Sequence, residues 1–223
     1  MKLYHGTTSA ALPAIYRKGL QPRGKRRSIW SRGAFAAVGD LASRADAVYL
    51  TDGHALWFAL QAVAIQQARA RAAVVEVDVD RLNPFDLIPD EDAVAQALYR
   101  NRPDDLYKMV DKSGAGFIRS RTHDLRGHFQ QSLNVLGTCA HLGAVPRHAI
   151  TRVAIIDPKK AVTLCERVEA VQMVTPWYHK MTGPANRAQV RWLFGDDEIP
   201  EAGARLFTPP PDEERGAITV KVL

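Results

Sequence analysis

Apolar and polar positions alternate in short runs along this chain, and stretches with helical spacing separate the runs. Residues 2–5 read as a strand and 9–19 as a helix, with Thr8 or Ser9 as N-cap and Gly19 as the C-terminal stop. Residues 21–46 have no clean period and read as a long loop, a length usually reserved for function. A strand follows at 47–51, then an Ala-rich helix from Asp52 or Gly53 to about Arg69, and a half-exposed strand at 73–79. Prolines punctuate a loop at 82–92, and short helices are expected at 92–99 and 104–110. The second half predicts strands at 132–140 and 151–156, a strand pair within 161–182, a helix at 186–194 capped by Asn186, and a terminal strand at 218–222.

Strands and helices do not alternate regularly in this order, which argues against a doubly wound sheet. Early helices followed by denser strands predict a single α+β domain over residues 1–223, with N-terminal helices and two small packed sheets. At 223 residues the chain can bury a sizeable core, and 46% hydrophobic with 24% charged residues is ordinary for a globular domain. No apolar run approaches the roughly 20 residues that span a bilayer, and the N-terminus lacks a signal-like pattern, so the expectation is a cytoplasmic protein without a membrane partner.

Charge sharpens the picture. The net charge is +6, and Arg17, Lys18, Arg23, Lys25, Arg26, Arg27 and Arg32 occur before the first acidic residue, Asp40. Such a cluster is either a solvated loop or a phosphate-contacting one. For the second, Arg23, Lys25, Arg26, Arg27 and Arg32 are the candidate nucleic-acid contacts, with Trp30 and Phe35 as stacking faces. Cys139 and Cys165 stand alone rather than in a C-x-x-C pair, and the histidine pairs lack metal-ligand spacing, so no metal site is expected.

Chemistry concentrates at Leu3-Tyr4-His5-Gly6-Thr7-Thr8, where an imidazole, a glycine and two hydroxyls meet a helix start, and at Val48-Tyr49-Leu50-Thr51. These segments, with the intervening Leu-Pro-x-Ile-x-x-x-Gly-Leu pattern, resemble the first two motifs of ADP-ribosyltransferases of the His-Tyr-Glu type, and within that superfamily the DarT-like bacterial members. The likeness continues weakly through 133–150, where a strand runs to a Val-Pro turn.

The resemblance implies an ADP-ribosyltransferase-like split β-sandwich and NAD as co-substrate. It implies a nucleic-acid acceptor, and a bacterial or phage toxin or defence effector with an antitoxin as partner. His5 would hydrogen-bond the adenosine ribose, Gly6 would admit the nicotinamide amide, Thr7 and Thr8 would add hydroxyls, and Tyr49 would stack on the nicotinamide ring. Breaking the nicotinamide–ribose bond leaves an oxocarbenium-like sugar, so the site must fix the dinucleotide and favour positive charge where it develops. Each residue also has a purely structural reading: a core histidine, a packed tyrosine, cap threonines.

The family's glutamate, expected at the start of the strand at 132–140, is missing: Gln130, Gln131, Ser132 and Asn134 stand there, with no acid between Arg126 and Arg152. Gln131 and Asn134 are the candidates for that position, able to bond ribose but not to act as a base. Glu76, Asp78 and His128 are alternative suppliers. Three other functions stay open: a catalytically impaired NAD- or nucleic-acid-binding module, which the missing glutamate motivates, an RNA 2′-phosphotransferase-like enzyme, whose family also carries a His-Gly-Thr motif, and a protein ADP-ribosyltransferase.

Overall fold

A computed structural model describes residues 1–25, 44–66, 70–99, 112–172, 179–196 and 207–223. Among them the strands β1 (Lys2–Thr8), β2 (Ala47–Thr51), β3 (Ala72–Asp78), β4 (Leu87–Pro89), β5 (Thr138–Leu142), β6 (Ile150–Ile156) and β7 (Ile218–Val222) build one antiparallel sheet in the order β4-β5-β2-β1-β3-β6-β7. The helices are α1 (Leu12–Lys18), α2 (Ala55–Gln66), α3 (Glu91–Tyr99), α4 (Lys112–Asp124), α5 (Gln130–Leu136), α6 (Val162–Gln172) and α7 (His179–Leu193).

Pleat alternation divides the core between the two sheet faces. Leu3, Val48, Leu50, Val75 and Val77 face Leu12 and Ile15 of α1 and Leu133 of α5. Tyr4, Val74, Ala154 and Ile156 face Ala55 and Ala59 of α2, Leu164 and Val168 of α6, and Trp192 of α7. Both faces are therefore covered over the central strands, with β3 buried from Ala72 to Val77, while the edge strand β7 is largely exposed. The predicted α+β class holds.

The sheet is nearly divided. β1 pairs with β3 at every position from Lys2↔Asp78 to Thr8↔Ala72, but with β2 at Tyr4↔Thr51 alone. β4-β5-β2 and β1-β3-β6-β7 are therefore two halves joined by one β1–β2 pair. The expected two packed sheets are thus one sheet with a seam.

Several elements differ from expectation. Residues 130–136 are helical, because Phe129, Leu133 and Leu136 recur with helical spacing and bury one face; the strand starts only at Thr138. Among its described residues the region at 161–182 holds α6 and the start of α7 rather than a strand pair, since Ala161, Leu164 and Val168 also bury one helical face. Asn186 lies inside α7 and is no cap. The loop at 82–92 contains β4, a three-residue edge strand closed by Pro89, which suits an edge because proline lacks a ladder donor. The helix expected at 104–110 lies outside the described residues. Among the described residues no helix is long and apolar enough to cross a membrane.

Candidate functional site

The seam between β1 and β2 is filled by a side chain. Where backbone pairing stops, the half-buried His5 reaches across, and its Nδ1 lies 2.9 Å from the carbonyl oxygen of Tyr49. A carbonyl only accepts, so Nδ1 carries the hydrogen. Burial holds the imidazole below its usual range, and the hydrogen bond to Tyr49 opposes this only in part. The ring is therefore neutral at pH 7, and Nε2 is left as an acceptor, suited to a hydroxyl.

Tyr49 faces away from Val48 and Leu50, beside Ala47, Ile88 and Ala140. Its hydroxyl donates to Glu91 Oε2 at 2.6 Å and accepts from the backbone N–H of Arg44 at 2.7 Å. Burial, then the carboxylates of Glu91 and Asp90, keep the phenol protonated far above neutrality. Glu91 begins α3 and is 3% exposed; burial first, then Asp90, raises its carboxyl to about 7. Its second oxygen, Oε1, is buried without a hydrogen bond and has the Arg44 Nε 3.9 Å away. Asp90 is itself raised by burial; its carboxylate accepts from the Thr138 hydroxyl. The Asp90 backbone N–H donates to Ser132 Oγ at 2.9 Å, which ties β4 to α5.

Two separate hydrogen bonds at opposite ends of Tyr49, one from the His5 imidazole to its carbonyl and one from its phenol to the Glu91 carboxylate, thus link β1 to α3 through that residue. His5 and Tyr49 are joined through imidazole and backbone rather than ring against ring, and the phenol turns to Glu91.

The remaining sequence candidates separate from this arrangement. Gly6 has a packing reason for its missing side chain: a Cβ there would penetrate the Ala55 carbonyl and come within 2.6 Å of the Ala59 nitrogen in α2. Thr7 and Thr8 are strand residues opposite Ala73 and Ala72, and Thr8 makes no side-chain cap bond. Ser9 is no cap either; its hydroxyl accepts from the Arg71 N–H at 3.0 Å. Gln131 and Asn134 are exposed on α5, because helix replaces the expected strand, and the residue at the start of β5 is Thr138.

Among the alternative acids, Glu76 is 1% exposed and held by Arg152 and Thr151, while Asp78 pairs with Lys2 at 3.0 Å. His128 is exposed. Arg23 and Lys25 are described, Arg23 half-buried and Lys25 exposed. Arg26, Arg27 and Arg32, with Trp30 and Phe35, lie outside the described residues.

Sequence reading missed Glu91, Asp90 and Arg44. The signal was the acidic run Asp90-Glu91-Asp92 directly after Ile88-Pro89, three carboxylates beside an apolar edge strand at a helix start.

No protein-family model and no curated protein matches the chain. Among solved structures, EcPltA is similar over 70% of this chain and 75% of its own, at 14% identity and a TM-score of 0.39. A likeness at that level says nothing about chemistry.

Proposed function

We propose that the protein is an NAD-dependent ADP-ribosyltransferase whose acid is supplied by Glu91 rather than from β5. The observation that carries this reading is the bridge of His5 across a seam in the sheet to Tyr49, with the Tyr49 phenol bonded to a buried carboxyl. The segments that carry the resemblance, around His5 and Tyr49, both border the seam between β1 and β2.

The residues present fit a dinucleotide's reactive half. The neutral His5 leaves one lone pair for a ribose hydroxyl, and Glu91 Oε1 is a buried acceptor with no hydrogen-bond donor of its own. When bound, NAD supplies an ADP-ribosyl group through loss of nicotinamide. The chain's part is electrostatic and positional. A carboxyl titrating at about 7 is half ionised at neutral pH, so Glu91 can favour nearby positive charge and take a proton from an acceptor group. Tyr49 holds that carboxyl in place, and the Arg44 backbone N–H holds Tyr49. Burial on β4 and α3 keeps water from competing for the same oxygen.

The test is incubation with labelled NAD and single-stranded DNA, RNA or cell lysate. Label transfer or NAD hydrolysis is expected from the wild type. His5→Ala should lower the rate at least ~10-fold, and Glu91→Gln about 100-fold or more, the usual span for losing general-base catalysis. Neither transfer nor hydrolysis by the wild type would remove the enzymatic reading and leave a binding module. Full activity of Glu91→Gln would remove the role assigned to that carboxyl.

A further inference from the structure

Arg44 stands between two carboxylates. Its side chain is 12% exposed and forks onto Asp46, with Nε and Nη2 each donating at 2.9 Å. Nη1 reaches the Arg119 carbonyl at 3.3 Å and Thr122 Oγ1 at 3.5 Å. The same Nε lies 3.9 Å from Glu91 Oε1, which has no hydrogen bond among the described residues. Nε carries one hydrogen, so it serves Asp46 Oδ1 or Glu91 Oε1 but not both. A move of about 1 Å brings it to charge-assisted bonding distance from Glu91. The Nη1 contacts are long for hydrogen bonds and do not lock the group against that move.

The two carboxylates are unequal competitors. Asp46 is 63% exposed and lines a surface depression of about 500 Å³, so water replaces the guanidinium at little cost once it leaves. Glu91 is buried, and its ionised form attracts a nearby cation more strongly than an exposed carboxylate does at the same distance. While Glu91 is protonated the balance favours the fork on Asp46. Once ionised, it draws Nε inward. The titratable or charged neighbours from each packed element are Tyr49 of β2 on Oε2, Asp90 beyond β4, and Arg119 and His123 of α4 beside Asp46. None of these is altered by the substitutions that test the exchange, so their fields cancel in the comparison.

We propose that Arg44 is a gate on the candidate site: Asp46 holds its guanidinium off the open oxygen of Glu91, and release from Asp46 lets it close that oxygen. Asp46 is then a positioning residue that acts through Arg44. Its bearing on transfer rests on the transferase reading; the exchange of partners does not.

The experiment is NMR titration of the full chain with isotope-labelled glutamate and arginine, the Glu91 carboxyl being the resonance that Glu91→Gln removes. Its wild-type midpoint is expected at about 7. Asp46→Asn should lower that midpoint by at least ~1 pH unit, because the freed guanidinium favours the charged form. Arg44→Gln should raise it, and adding Asp46→Asn to Arg44→Gln should move it no further. In the wild type the Arg44 Nε–H resonance should shift with the same midpoint as the carboxyl and stay fixed near neutrality in Glu91→Gln, a readout that needs no substitution at Arg44.

No shift in Asp46→Asn overturns the proposal. So does an equal shift in the Arg44→Gln background, since Asp46 would then act by its own charge, and so does an Arg44 Nε–H resonance that ignores the ionisation of Glu91. Under the transferase reading Asp46→Asn should also lower NAD turnover ~10-fold or more, through kcat rather than KM, as a base oxygen is closed off. Titration as expected beside unchanged turnover upholds the gate and removes the role assigned to Glu91. Turnover that falls without a shifted titration overturns the gate.

Discussion

Under the proposed function, the Glu91 carboxyl carries both a chemical role and a pH-dependent share of the stability. Its titration moves from 4.5, the ordinary glutamate value, to about 7 in the fold, so between those values the folded chain holds a proton that the unfolded chain has released. Stability therefore falls as pH rises through this window, and the cost is complete above pH 7, on the order of 3 kcal/mol. Glu91→Gln removes the ionisation while keeping an oxygen that accepts from Tyr49. The variant should match the wild type in urea unfolding near pH 4.5 and exceed it by up to ~3 kcal/mol at pH 8, and under the proposed function it should also lose NAD turnover. Equal stability of the two chains at both pH values would show that Glu91 ionises freely. The sequence shows this carboxylate and its acidic neighbours, but not that Tyr49, forty-two positions earlier, closes over it. Burial is what converts an ordinary glutamate into a group that titrates near neutrality.

At the scale of elements, Gly6 shows how a motif residue can have a packing reason. α2 crosses β1 so closely that a methyl group at position 6 has no room. Gly6→Ala should destabilise the chain by up to ~3 kcal/mol through overpacking, read as a lower urea midpoint with an unchanged slope. An unperturbed midpoint would mean that α2 rests more loosely on the sheet. Gly19 is similar: it ends α1 at φ 74°, and a side chain there would strike the Val145 carbonyl, in the segment that pairs with Leu20. Strands β2, β3, β6 and β7 were legible because alternation or an unbroken β-branched run marks them. α5 and α6 were not, since in short apolar stretches helical and strand periods fit the same few residues, and tertiary packing chooses between them. Reading α5 as strand is what set Gln131 and Asn134 at a strand start, a place the structure gives to Thr138.

Across the whole molecule, Arg152 of β6 fastens one half of the sheet. Its guanidinium bonds the buried Glu76 of β3 and, at 2.8 Å, both carboxylate oxygens of Asp196 beyond α7. It also lies 4.9 Å from the ring centre of Phe194, which stacks on Tyr4 of β1 at 5.6 Å. Arg152→Met should cost roughly 3–5 kcal/mol, because it leaves Glu76 buried without its cation, whereas Glu76→Leu with Arg152→Met should recover most of that loss. Chemical denaturation of both variants beside the wild type measures the loss and the recovery. Failure of the double variant to recover would mean that the Asp196 and Phe194 contacts, not the buried charge, dominate.

Local pattern by itself determined the α+β class, the positions of most strands, and the two segments around His5 and Tyr49, because periodicity and turn chemistry act over a few neighbouring residues. Only the tertiary structure decided that the sheet has a seam between β1 and β2, that the imidazole spans it, and that the acid beside Tyr49 comes from Glu91. Those outcomes depend on long-range pairing and on burial, and a carboxyl's proton affinity is set by whatever folds around it.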